Sequence, residues 1–157
     1  MLLPFFQWCE SSWLGQAIPN SLWLFPVIES VHLLALAVIG GSVLVVDMRL
    51  LGLGLRSRPV AEIAREAQPY LIGSLIVMIA TGVPLFFSEA VKCYYSDAFW
   101  VKMPALALSM LFAFTVRRMV TRAEEGRYAP ISRMAVGAIS LMLWSTVGMA
   151  GRWIGFS

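Results

Sequence analysis

Charge is scarce in this sequence. Asp, Glu, Lys and Arg make up 13% of its 157 residues, where a soluble domain carries about 25%. Histidine occurs once, at His32, and cysteine twice, at Cys9 and Cys93. Each shortage excludes something. One histidine cannot supply both ligands of a bis-histidine site within one chain. No Cys-x-x-Cys or Met-x-x-Met pair occurs, so the nine methionines read as packing among leucines rather than as a copper relay. A carboxylate-bridged di-metal site needs more than the single Glu29-x-x-His32. No P-loop or Gly-x-Gly-x-x-Gly follows a strand, and no strand is expected. The first 23 residues hold no Lys or Arg, hence no basic leader of a signal peptide.

What is abundant is apolar length. Hydrophobic residues make up 59% of the chain and the mean hydropathy is +0.78, too continuous for a soluble core. Crossing the hydrocarbon takes about 20 mostly apolar residues, and four blocks qualify: 21–46, 70–87, 99–116 and 134–153. The fold class expected is all-α, an integral membrane four-helix bundle forming one domain over 1–157. Residues 1–20, with Phe5, Trp8 and Trp13, read as an interfacial helix on the outer surface. Between the first two spans, Pro59 suits a helix start, and Val60, Ile63, Ala64 and Ala67 form an apolar stripe. That stretch reads as a short cytoplasmic helix lying on the membrane.

Nine of the twelve basic residues fall in the first and third connections, from Arg49 to Arg65 and from Arg117 to Arg133. The positive-inside rule puts those connections in the cytoplasm and both termini in the periplasm of a bacterial inner membrane. The net charge of +3 is then topological, the partner surface is the lipid bilayer, and no nucleic acid is implied. Cys9 and Cys93 share the outer side. An oxidising compartment would allow them to bridge; two separate free thiols is the equal alternative.

Four ionisable residues carry the candidate site. At about 1.5 Å per residue, His32 lies some 16 Å below the outer end of a helix starting at Ser21, with Glu29 one turn shallower. At about 100° per residue, Phe25, Glu29, His32, Leu36, Gly40, Val43 and Asp47 share one broad face, which should look into the bundle because a charge facing lipid costs at least ~2.5 kcal/mol. Gly40 and Gly41 would let a helix or flat ligand approach below the histidine. Lys102 and Arg152, near the outer ends of the third and fourth spans, would place two cations above it. A single axial histidine, a small-residue slot and cations for propionates are the elements of a heme site, with His32 as the metal ligand and a methionine as the possible second. Asp47, at the inner end, should pair with Arg117 or Arg118 and fix how the first and third spans pack.

The runs "ESVHLLALAVIGGSVLVVDMRLLGL", "ATGVPLFFSEA", "DAFWVKMPAL" and "GRWIGF" resemble an uncharacterised family of small bacterial four-helix membrane proteins, over nearly the whole chain. More remotely, a first-span histidine, an arginine at that span's inner end and a lysine opening the third span are similar to the bacterial membrane protoporphyrinogen oxidase and copper-resistance protein D families. That resemblance implies functional positions at His32, Arg49 and Lys102, and heme b or copper as cofactor. The oxidase group's tyrosine and tryptophan around the histidine are not present here.

The sequence leaves several readings: a heme b protein with a redox or porphyrin-related role, a copper or proton/ion-handling protein, and a non-catalytic assembly subunit without cofactor. The last draws on Gly137, Ser140, Gly148, Gly151 and Gly155 in the fourth span, small residues that permit close contact within one bundle or in a homo-oligomer or membrane complex. Whether the chain is an enzyme, and which residues would be catalytic, the sequence does not say.

Overall fold

In the computed structural model, residues 1–156 are described, and among them there are helices and turns but no strands. The order is α1 (Leu3–Ser11), α2 (Trp13–Ala17), α3 (Leu24–Leu50), α4 (Val60–Ser88), α5 (Ala90–Tyr95), α6 (Asp97–Phe112), a π-helical turn (Ala113–Arg117), α7 (Arg118–Arg122) and α8 (Pro130–Ile154). Four stretches are long and apolar enough to cross a membrane: α3, α4, the continuous run Asp97–Arg122, and α8. They point to a multi-pass membrane protein. The 27 residues of α3 reach about 40 Å, more than the ~30 Å of hydrocarbon.

The stripe expected to lie on the membrane does something else. Val60 and Ile63 are buried against Val46, Leu50, Val120 and Val136, with Ala64 and Ala67 packed on the same cluster. No separate surface helix forms, because that apolar face has a partner inside the bundle. The segment is the first two turns of α4, which runs on through Pro69. Pro69 removes one N–H yet leaves the helix intact.

α3 packs most extensively on α4 and also on α8, which packs on α6; α4 and α6 make no substantial contact with one another. The four long helices therefore form a curled row in which the third span meets α4 through α7, while its α6 part leaves a seam against α4. Lipid tails are as apolar as a bundle interior, so helix association rests on close packing and polar pairs rather than on escape from water. Both are visible. At Gly137 of α8 a Cβ would lie 3.1 Å from the Asp47 carbonyl oxygen of α3, so this small residue serves contact within the bundle. Gly148 meets nothing within 4 Å. The same Asp47 accepts from Arg117 Nε through Oδ1 at 2.9 Å, with the carboxylate fully buried. The π turn brings Arg117 round to α3: its wider winding shifts the register that a plain α-helix would keep. The expected pairing of Asp47 with an arginine of the third span is present, and Arg117 is the partner.

At the end of the bundle that carries the termini, α1 buries Phe6 and Cys9 against Ala90, Phe86 and Phe99. Glu10 Oε2 accepts from the Val91 amide at 2.8 Å, satisfying a first-turn donor of α5 from another segment. Ser12 caps α2 by accepting from the Gly15 amide. A Cβ on Gly15 would collide with the Glu10 carbonyl and stand 2.8 Å from that of Cys9. Cys9 and Cys93 are both buried free thiols.

Candidate functional site

α3 begins at Leu24 rather than Ser21, which puts His32 eight residues inside the helix, about 12 Å from its start. There the ring meets α4. His32 Nδ1 lies 2.9 Å from Thr81 Oγ1, and the Thr81 hydroxyl donates its one proton back to the Val77 carbonyl at 2.7 Å. With the Thr81 proton held on its own helix backbone, the tautomer that fits is the one in which Nδ1 donates to Thr81 and Nε2 carries the lone pair. Gly82 makes the approach possible: a Cβ there would stand 3.2 Å from the imidazole Cε1. Thr81 and Gly82 escaped the sequence reading. The only signal was a polar residue followed by glycine inside an apolar run, a pattern that in a helix usually marks nothing more than a hydroxyl returned to its own backbone.

His32 lines a cleft of about 410 Å³ between α3, α4, α6 and α8, together with Glu29, Glu89, Cys93 and Lys102. Its walls are apolar and aromatic: Phe25, Phe86, Phe87 and Phe99, with Met78, Met103 and Leu106. Phe86 and Phe99 stack at 5.6 Å between centroids, 18° apart, which stiffens the mouth. The Lys102 stem runs along α8 where Gly151 leaves room, its Nζ 3.4 Å from the place a Cβ would take. No carboxylate stands within ion-pair distance of Lys102 among the described residues. Cys93 closes the cleft from α5. Burial, reinforced by Glu89, pushes its thiol up to about 11 against the pull of Lys102 and Lys92.

The structure brings Glu29, His32 and Lys102 to one cleft and leaves two expected residues out. Gly40 is exposed with nothing within 4 Å of a Cβ. The buried face of α3 runs through Ala35, Ile39, Val43, Val46, Asp47 and Leu50; Val43 and Asp47 of the expected stripe lie on it, while Gly40 looks away from the bundle. Arg152 is exposed and stacks over the Phe156 ring at 5.3 Å; its neighbour Gly151 faces Lys102 instead. Glu29 lines the cleft but is exposed, and the imidazole's partner is Thr81 rather than this carboxylate. Arg49 lies at the opposite end, donating to the Arg58 carbonyl at 2.9 Å and tying down the loop before α4. No group of three or more His, Cys, Asp or Glu is clustered for a metal ion among the described residues. Any metal held by His32 would therefore need methionine or exogenous ligands to complete its coordination.

The chain belongs to a family of unknown function, DUF6644, matching it over residues 5–157. No curated protein and no solved structure matches it.

Proposed function

Taking this member of a family without an assigned role on its geometry, we propose that it is a multi-pass protein of the bacterial cytoplasmic membrane, termini periplasmic, that binds heme b in the cleft beside His32. The single observation carrying the reading is the division of labour on the imidazole. Thr81 occupies Nδ1, which orients the ring and leaves Nε2 as the nitrogen available to iron. A second-shell hydrogen bond of this kind is the usual device that fixes a ligating histidine. The residues present fit such a group. The cleft lies in the size range of small-molecule sites, roughly 300–1,000 Å³, is walled by aromatics, and includes Met78 and Met103, either of which would supply a thioether donor. Lys102 would hold a propionate. When bound, the group supplies one-electron or porphyrin-related chemistry; the chain's part is to hold it, exclude water with the phenylalanines, and set its polarity through Thr81 and Lys102. Copper fits less well, since His32, Cys93 and two methionines are soft donors but form no compact cluster of anionic and imidazole ligands.

A proton- or ion-handling role is the second reading. It is favoured by Glu29, His32, Glu89 and Lys102 lining one cleft, since ionisable groups at membrane depth mark pathways.

The deciding experiment is an absorption spectrum, oxidised and reduced, of protein purified from heme-replete cells, with a hemin titration and metal analysis. A Soret band that His32→Ala abolishes and Thr81→Val shifts is expected. A colourless protein that takes up no added hemin ends the heme reading.

A further inference from the structure

The second large cleft lies at the other end of the seam, where the arginines are. It measures about 490 Å³ and opens between α4 and the π turn with α7. Arg65 from α4 and Arg118 and Arg122 from α7 line it, above a floor that includes Leu71 and Phe114.

The acids that α3 and α4 present at this cleft and its rim are occupied. Glu62 is the one acid lining the cleft, and Arg58 binds it at 2.6 Å from the loop side, taking Glu66 at 2.6 Å as well. Asp47 is spent on Arg117. Among the described residues, Arg65, Arg118 and Arg122 are left without an ion pair; Arg122 reaches only the Gln68 side-chain oxygen, at 3.4 Å. Topology requires arginines at this end of the bundle. It does not require three of them, from two different helices, to converge on one cleft whose acid is neutralised from outside. Like charges brought together against an apolar floor call for an anion.

We propose that this cleft binds the phosphate of an anionic phospholipid, with the acyl chains lying in the open seam between α4 and α6. The inference rests on the membrane reading above and is independent of heme. Guanidinium groups pair with phosphate oxygens in a planar, bidentate fashion, and three of them approaching from two helices suit a tetrahedral phosphate. The apolar floor and the lateral opening favour a lipid over free phosphate: α4 and α6 do not close on each other, so chains can enter from the bilayer. A headgroup seated there would add a polar bridge where α4 already packs on α7.

The test is native mass spectrometry of the detergent-solubilised protein, titrated with phosphatidylglycerol or with phosphatidylcholine of the same acyl chains. Recovery of the protein in the membrane fraction checks the membrane reading separately. Retained phosphatidylglycerol and unretained phosphatidylcholine are expected. Arg65→Gln and Arg118→Gln should each weaken binding about fivefold and together about 25-fold, one juxtamembrane arginine contributing about that factor. Both side chains are exposed, so helicity by circular dichroism should not change, and Lys92→Gln at the opposite end should bind as wild type. Equal retention of the two lipids by the wild-type protein would overturn the proposal, as would undiminished binding by the double variant. Orthophosphate binding as tightly as the lipid, and displacing it, would overturn the lipid assignment in favour of free phosphate.

Discussion

The two clefts lie along one seam, yet they handle charge in opposite ways. At the termini end, a single imidazole and a single ammonium stand among phenylalanines and methionines, and the polar atoms are few and individually placed. At the other end, arginines crowd an apolar floor while the one buried ion pair among the described residues, Asp47–Arg117, locks α3 to the third span beside them. Between the clefts lies a plug of Ala35, Ile39, Val43, Leu75 and Trp144. Met78 of that plug lines the first cleft, and Leu71 and Ala113 line the second. The contrast teaches that depth alone does not make a polar residue functional. Asp47 is fully buried and its carboxylate is consumed by structure; His32 is only half-buried and lines an open cleft.

The sharpest way to break that contrast is to unpair the structural site. Asp47→Ala strands the Arg117 guanidinium and should cost about 3–5 kcal/mol, read as loss of the folded protein in a detergent melt. Asp47→Ala combined with Arg117→Met should recover part of that loss. An Asp47→Ala protein as stable as wild type would mean that the pair does not hold the helices. Next in size is the α3–α8 crossing. Gly137→Ala sets a methyl 3.1 Å from the Asp47 carbonyl oxygen and from Leu50 Cβ, and overpacking of this kind costs about 1–3 kcal/mol. The same change at Gly148, where nothing stands within 4 Å, should leave the melting temperature where it was.

On the functional side, Thr81→Val removes the acceptor of the His32 Nδ1 proton. A stability loss of about 1 kcal/mol is expected, with a larger relative effect on any ligand held through Nε2. A hemin titration in parallel with the melt separates the two. The cysteines offer a pH test. With its thiol raised from the ordinary 9.0 to about 11, Cys93 holds about a hundredfold less thiolate at pH 8 than an ordinary cysteine. Iodoacetamide should therefore label it slowly in the native protein, faster as the pH approaches 11, and at once on denaturation. Rapid native labelling at pH 8 would show that the cleft's α5 wall stands open. The smallest effect belongs to Ser140, whose hydroxyl is buried beside Asp47 without a hydrogen-bond partner among the described residues, as is Asp47 Oδ2. Ser140→Ala should change stability by less than about 1 kcal/mol, because the hydroxyl meets the Asp47 carboxylate at most through a weak hydrogen bond. A loss above about 1 kcal/mol would reveal that this hydroxyl bonds the carboxylate firmly.

Hydropathy and charge placement were enough to read four long helices, one arginine-rich end, and an arginine partner for Asp47. Each follows from a cost that does not depend on neighbours: apolar length must match the hydrocarbon, and a buried carboxylate must find a cation. The apolar stripe from Val60 to Ala67 was visible too, but its destination was not. An amphipathic face fits a membrane surface and a bundle equally well until the opposing helix is known. The site divided along the same line. That His32 and Lys102 belong to one end of the bundle follows from counting residues along alternating helices. That Thr81 rather than Glu29 holds the imidazole, that Gly40 turns outward and that Arg152 stacks on Phe156 were decided by the rotation of each helix against its neighbours. Close packing sets that rotation, through contacts such as Gly137 on α3, Gly82 on the imidazole and Gly151 on the Lys102 stem, and a list of residues at 100° intervals leaves it free.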